Sequence, residues 1–144
     1  LLSRRQRQMC IRDSVGIAQS AIDYSVDYAK GRICFGAPIA KLQAIQFMLA
    51  DMQIQTQAAR SLVYGAAEMV DNNIRPYTEI CAAAKCFAGD VAMKVTTDAV
   101  QIHSGYGYMR DYPVEKLMRD AKLFQIFEGT NQIQRVVVAG SMLK

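Results

Sequence analysis

Glu128 stands where a carboxylate could act as a base. It follows the apolar run Leu123, Phe124, Ile126 and Phe127 and precedes Gly129, and Thr130 and Asn131 then open a helical pattern. Apolar neighbours draw a carboxylate out of water and make it a stronger base. A glycine lets a substrate approach the backbone closely, and a helix start offers free N–H groups. That is the local chemistry of proton abstraction. Most glutamates, however, are solvated surface charges, and on spacing alone the two readings weigh evenly. Thr130 or Asn131 can equally be a plain N-cap, with Gln132 or Gln134 as its partner.

Two other segments carry polar groups at turns. Gln101-Ile102-His103-Ser104-Gly105-Tyr106-Gly107 ends a helical pattern in glycines. Glycines there are helix C-caps by default, although the N–H groups of such a turn can hold a phosphate. A lone histidine at a helix end is more often structural than an acid or base. Arg32 precedes the turn Phe35-Gly36-Ala37-Pro38. It could grip a phosphate with two nitrogens, but the helix dipole alone favours an arginine near a C-terminus. Taken by itself, that plainer reading wins.

Metal chemistry is not expected. The four cysteines, Cys10, Cys34, Cys81 and Cys86, form no C-x-x-C pair, and His103 is the one histidine. The Glu-x-x-His pairs of a di-iron bundle are absent. Cys81 and Cys86 fall in an Ala-rich helical pattern and read as buried small residues in a reducing compartment. No run approaches the roughly 20 apolar residues of a membrane span, and no apolar signal core follows the first arginines. A soluble cytoplasmic protein is expected, and, from its start at Leu1-Leu2, a piece of a longer one.

The net charge is +4, and Arg4, Arg5, Arg7 and Arg12 against Asp13 place +3 of it in residues 1–13. A nucleic-acid surface would lie on the folded body, so no nucleic-acid partner is expected. Residues 1–14 show no sustained apolar period and read as an atypical basic tail, separate from a domain over 15–144. The abrupt change of pattern suggests an assembly or sequencing artefact.

The elements that would position these residues are helical. Ile17, Ala21, Tyr24 and Tyr28 make one helical face from Val15 onward. Ile45, Leu49, Met52, Thr56, Ala59, Val63, Ala66 and Val70 alternate spacings of four and three, with Pro38 placed near the first turn. That predicts a second helix of about 32 residues, about 48 Å long. Pro76 starts a third, with Ile80, Ala84, Phe87, Val91, Val95 and Ile102 on its inner face. A loop over 104–113 and two shorter helices, Val114 to Lys122 and Thr130 to Met142, complete the chain. The fold class is all-α, an antiparallel bundle of about four main helices.

In combination these residues resemble one family. The chain carries Val15-Gly16-Ile17-Ala18-Gln19, Arg32-x-x-Phe35-Gly36-x-Pro38-Ile39, and Leu42-Gln43-Ala44-Ile45-Gln46-Phe47 with Leu49-Ala50-Asp51-Met52. Then come Gln101 to Gly107, Tyr112-Pro113-Val114-Glu115-Lys116, Arg119-Asp120-Ala121-Lys122 and Glu128 to Arg135. Their order and spacing are similar to the C-terminal helical domain of the acyl-CoA dehydrogenases, over about residues 15–143.

The resemblance implies FAD-dependent α,β-dehydrogenation of an acyl-CoA to a trans-2-enoyl-CoA. Glu128 would be the catalytic base, and Gly129 would contact substrate. Thr130, Asn131 and Gln132 would meet the FAD of the same subunit. Arg32, Gln43 and the turn Gln101, Ile102, His103, Ser104 and Gly105 would reach the FAD of a neighbouring subunit. The partners implied are a short-chain, butyryl-type acyl-CoA, an electron-transferring flavoprotein and further copies of the chain in a homotetramer. The common family form has glycine where this chain has Ser104. The family's arginine that helps hold CoA would fall near Arg7, whose neighbours do not match, so Arg7 is given no role. The family also has an N-terminal helical domain and a middle β-domain before this bundle, and the chain alone is expected to be inactive. The alternatives are a helical module that only binds or oligomerises, and an acyl-CoA oxidase-like domain.

Overall fold

A computed structural model describes residues 2–144, with side chains from Ile11 onward. Five α-helices make up the fold: α1 (Leu2–Gly31), α2 (Gln43–Asp71), α3 (Thr78–His103), α4 (Val114–Phe124) and α5 (Asn131–Met142). A two-residue hairpin, β1 (Ile33–Cys34) paired antiparallel with β2 (Ala37–Pro38), and a 3-10 turn over Ile39–Lys41 join α1 to α2. The all-α antiparallel bundle is as expected, with three long helices and two shorter ones. Helix α3 is the central rod and touches every other helix. Its C-terminal His103 stacks on Tyr28 near the end of α1, so α1 and α3 run parallel. Asn131 bonds Cys86 and Ser141 bonds Glu79, so α5 runs back along the first half of α3.

Helix α1 differs from the sequence expectation in two ways. It is unbroken from Leu2 and crosses the boundary expected at 14/15, and Ile11 and Ser14 are already buried. The side chains of Arg4, Arg5, Arg7 and Cys10 lie outside the described residues. The inner face is Val15, Ala18, Ala21, Ile22, Ser25 and Ala29, whereas Tyr24 is 47% exposed. Small side chains let α1 close on α3, and a phenol ring would hold the two backbones apart.

The stripe on α2 is buried where the spacing predicts it, at Met52, Thr56, Ala59, Val63 and Ala66. The helix has 29 residues, shorter than predicted, because Pro38 lies in β2 and the 3-10 turn intervenes. Thr56 is fully buried and its Oγ1 has no hydrogen-bond partner. An orphaned buried hydroxyl carries its desolvation cost uncompensated. Thr56→Val is therefore expected to stabilise the protein by about 1 kcal/mol, read as a higher urea midpoint at unchanged slope.

On α3, Ala84, Val91, Val95 and Ile102 are buried as expected, but Phe87 is 40% exposed. Ala88 takes its place on the inner row, because that row needs a small residue where helices cross closely. Gly89 has the same cause: a Cβ there would sit 3.1 Å from the Phe124 carbonyl oxygen. The loop expected over 104–113 begins as a 3-10 turn, Ser104–Tyr108. Gly107 is required in it, since a Cβ would come within 2.6 Å of the Val100 carbonyl oxygen.

Candidate active site

Glu128 lies in the connection 125–130 between α4 and α5. Its φ is +55°, and that of Gly129 is +88°. Left-handed backbone is ordinary for glycine but strained for glutamate. The surrounding groups hold it there. Lys85 Nζ, from α3, donates to the Gly129 carbonyl at 2.7 Å and to Asn131 Oδ1 at 2.8 Å. Gln134 Nε2 donates to the Gly129 carbonyl at 3.4 Å, and a Cβ on Gly129 would meet that nitrogen at 2.7 Å. Thr130 Oγ1 caps α5 by accepting from the Ile133 N–H at 3.3 Å.

Asn131 is the hub beneath this turn. It is 2% exposed, and its Nδ2 donates to the Cys86 carbonyl at 3.1 Å and to Asp90 Oδ1 at 2.8 Å. Asp90 also accepts from Gln125 at 2.7 Å and from Arg135 at 2.6 Å. Burial alone would push the Asp90 carboxyl up, but the bonds from Arg135, Asn131 and Gln125 outweigh it and hold it below the usual range. The Asn131 side chain thus faces inward and is engaged by the fold. Gln132 faces solvent and Thr130 is half-buried.

Glu128 is half-buried beside a cavity of about 10 Å³, room for roughly one water. Its walls are Ile11 and Ser14 from α1, Lys85 and Gly89 from α3, and Phe124 and Phe127. Of the apolar approach read from the sequence, only the two phenylalanines reach this cavity. Leu123 and Ile126 are each 53% exposed.

The other sequence candidates gather at the far end of α3, roughly 28 Å along the helix from Lys85. Arg32, Gln101, Ile102, Ser104, Gly105 and Tyr106 are among the walls of an open cavity of about 540 Å³. The Arg32 guanidinium lies 5.3 Å from the centre of the Tyr106 ring. A cation, an amide and aromatic faces around this volume suit an anionic aromatic ligand such as a dinucleotide. Gln43 is exposed on the first turn of α2 and is not one of these walls, although its neighbours Leu42 and Ile45 are. His103 is 2% exposed, stacked on Tyr28 with centroids 4.2 Å apart. Its Nδ1 lies 2.8 Å from the Ala99 carbonyl, which can only accept, so Nδ1 carries the proton. Burial pushes the imidazole pKa down, against the opposing Ala99 bond, and keeps the ring neutral near pH 7.

Ser104 has φ +57° and ψ −142°, a region that essentially only glycine occupies. Ser104→Gly is expected to raise stability by about 1 kcal/mol, read as a higher thermal midpoint.

Lys85, Asp90, Ile11 and Ser14 are site residues that the sequence reading passed over. One signal was available for Lys85: it sits between Ala84 and Ala88 on the apolar side of α3. Among the described residues, no three His, Cys, Asp or Glu side chains gather as a metal site, and no helix is long and apolar enough to cross a membrane.

Comparison with known proteins follows the same lines. The family model described as acyl-CoA dehydrogenase, C-terminal domain, matches residues 4–143. A probable acyl-CoA dehydrogenase of Mycobacterium tuberculosis, FadE25, is 55% identical over 131 residues, covering 91% of this chain and 34% of the relative. The solved butyryl-CoA dehydrogenase of Megasphaera elsdenii superposes with a TM-score of 0.95 at 48% identity, over 99% of this chain and 37% of that one. A chain in a structure described for the electron transferring flavoprotein of Acidaminococcus fermentans superposes at 0.94 with 51% identity, over 99% and 37%. The chain spans about a third of the length of the curated relatives it matches.

Proposed function

The chain belongs to the acyl-CoA dehydrogenase family, as its C-terminal domain, and from that premise we propose that it carries the catalytic base of an FAD-dependent acyl-CoA dehydrogenation. The observation that carries the reading is the clamped left-handed turn that holds Glu128 against a small, largely apolar cavity. A thioester α-proton is weakly acidic. Its removal calls for a carboxylate screened from water and fixed in place.

In the proposed step the α-C–H bond breaks and an O–H bond forms on Glu128. The electron pair left behind becomes the new α,β double bond as the β-hydrogen departs with its own pair. FAD, when bound, supplies the acceptor for that hydride. Gly129, exposed beside Glu128, would contact the substrate. Gln132, exposed at the start of α5, and the capping Thr130 would meet a cofactor of the same subunit.

Arg32, Gln101, Ser104 and Gly105 would hold the FAD of a neighbouring subunit, Arg32 by charge and the turn by its polar edge. The separation of the two clusters along α3 supports this division, because one chain cannot bring both to one isoalloxazine ring. Exposed apolar side chains, Phe47 and Ile54 on α2 and Ile133 and Val136 on α5, support assembly through this domain. A homotetramer and an electron-transferring flavoprotein as acceptor are part of the proposal. A short, butyryl-type acyl chain is part of the proposal, supported by the 48% identity to the butyryl-CoA dehydrogenase of Megasphaera elsdenii.

The test is anaerobic addition of butyryl-CoA to the full-length FAD-loaded enzyme. Flavin absorbance is expected to bleach within the mixing time of a turnover assay. Persistent oxidised flavin with every straight-chain acyl-CoA would sink the reading. Rapid reoxidation by oxygen, rather than by electron-transferring flavoprotein, would select the oxidase alternative.

A further inference from the structure

Lys85 is a cation in the core that the reaction described above does not use. It is 5% exposed and flanked on α3 by alanines. Taking an ammonium out of water is costly unless its hydrogens are well placed. Two of its three N–H groups go to the Gly129 carbonyl and Asn131 Oδ1, at 2.7 and 2.8 Å. These acceptors flank the strained turn of Glu128. Lys85 and Glu128 also line the same small cavity.

We propose that Lys85 is a positioning residue for the Glu128 base, fixing the left-handed turn through the Gly129 carbonyl and the start of α5 through Asn131. The proposal rests on Glu128 being the base. Three acidic groups face the ammonium: Cys86 and Asp90 from α3 and Glu128 from the α4–α5 connection. Burial pulls the lysine toward its neutral form, and the charges of these three oppose that pull. Asp90 is already engaged by Arg135, Asn131 and Gln125. Cys86 holds a charge only when ionised, and burial pushes its thiol up. Of the two carboxylates among them, Glu128 is thus the one whose side chain is not held by other donors among the described residues.

Two variants separate positioning from a purely structural role. Lys85→Met removes both clamp and charge, while Lys85→Gln keeps an N–H donor without charge. Flavin bleaching by butyryl-CoA is followed across the pH range in the full-length enzyme, for wild type, both variants and Glu128→Gln, with FAD content measured in each. For Lys85→Met the rate is expected to fall about 100-fold at every pH, with the butyryl-CoA concentration for half-maximal bleaching little changed. Lys85→Gln, which can still donate to the Gly129 carbonyl, is expected to recover part of the rate. If Lys85→Met keeps the wild-type rate, if its loss lies in the half-saturating butyryl-CoA concentration rather than in the rate, if Lys85→Gln recovers nothing, or if neither variant folds and retains FAD, Lys85 serves the fold alone and the proposal falls. Wild type that does not bleach, or Glu128→Gln that bleaches like wild type, would instead overturn the reading of Glu128 and Lys85 with it.

Discussion

Glu128→Gln in the full-length enzyme is expected to lower kcat/KM about a thousandfold with FAD still bound. The substitution is nearly isosteric. It leaves the clamp intact, because Lys85 and Gln134 grip backbone carbonyls of the turn and not the Glu128 side chain. A glutamine pays the same left-handed penalty as a glutamate, so stability should barely change. What is lost is the ability to take a proton, which an amide lacks at any working pH. Stopped-flow bleaching of the flavin gives the rate, and visible circular dichroism of the bound flavin reports the intact site. A module that only assembles would lose nothing measurable, and that outcome would remove the catalytic reading.

Asn131→Ala is expected to cost about 3 to 5 kcal/mol of stability. The side chain is buried and joins Lys85, the Cys86 carbonyl and Asp90. Truncation leaves a buried ammonium with one acceptor fewer and the Asp90 carboxylate with one donor fewer. It also breaks the tie that seats α5 on α3. Urea unfolding of wild type and variant gives the difference. The pH dependence has a definite sign. Asp90 is held below its unfolded value, so its contribution is complete above about pH 4 and is lost as pH falls through the folded value. Without the Asn131 donor that contribution shrinks, so the gap between wild type and variant should narrow as pH falls below about 4. A gap that widens on acidification would assign the loss to another group.

The helical stripes were legible because burial on a helix repeats at fixed spacing. The α2 row from Met52 to Ala66 is read directly from the chain, as is most of the α3 row. The errors fall where close backbone approach decides the face. Tyr24 and Phe87 satisfy the periodicity but are too large for the helix crossings that Ala18, Ala88 and Gly89 permit. The Glu-Gly-Thr motif was legible as local chemistry, but its support was not. Lys85 is 43 positions before Glu128, and nothing in the residues between them announces that a lysine in an alanine run turns toward that turn. Long-range polar pairing has no period, so it stays hidden in a single sequence. The backbone state of Ser104 was hidden for a similar reason: glycines on the following positions drew the turn reading one residue too late.

The placement of the two residue clusters at opposite ends of α3 has a genetic consequence. In the proposed assembly no copy owns a whole site: each lends its Glu128 end to one cofactor and its Arg32 end to another. Two copies with different defects, one disabled at Glu128 and one at Arg32, could therefore restore one sound site between them when co-expressed. Two copies sharing a single defect could not. Dominance, for lesions in this domain, would be decided by which end of one rod is damaged.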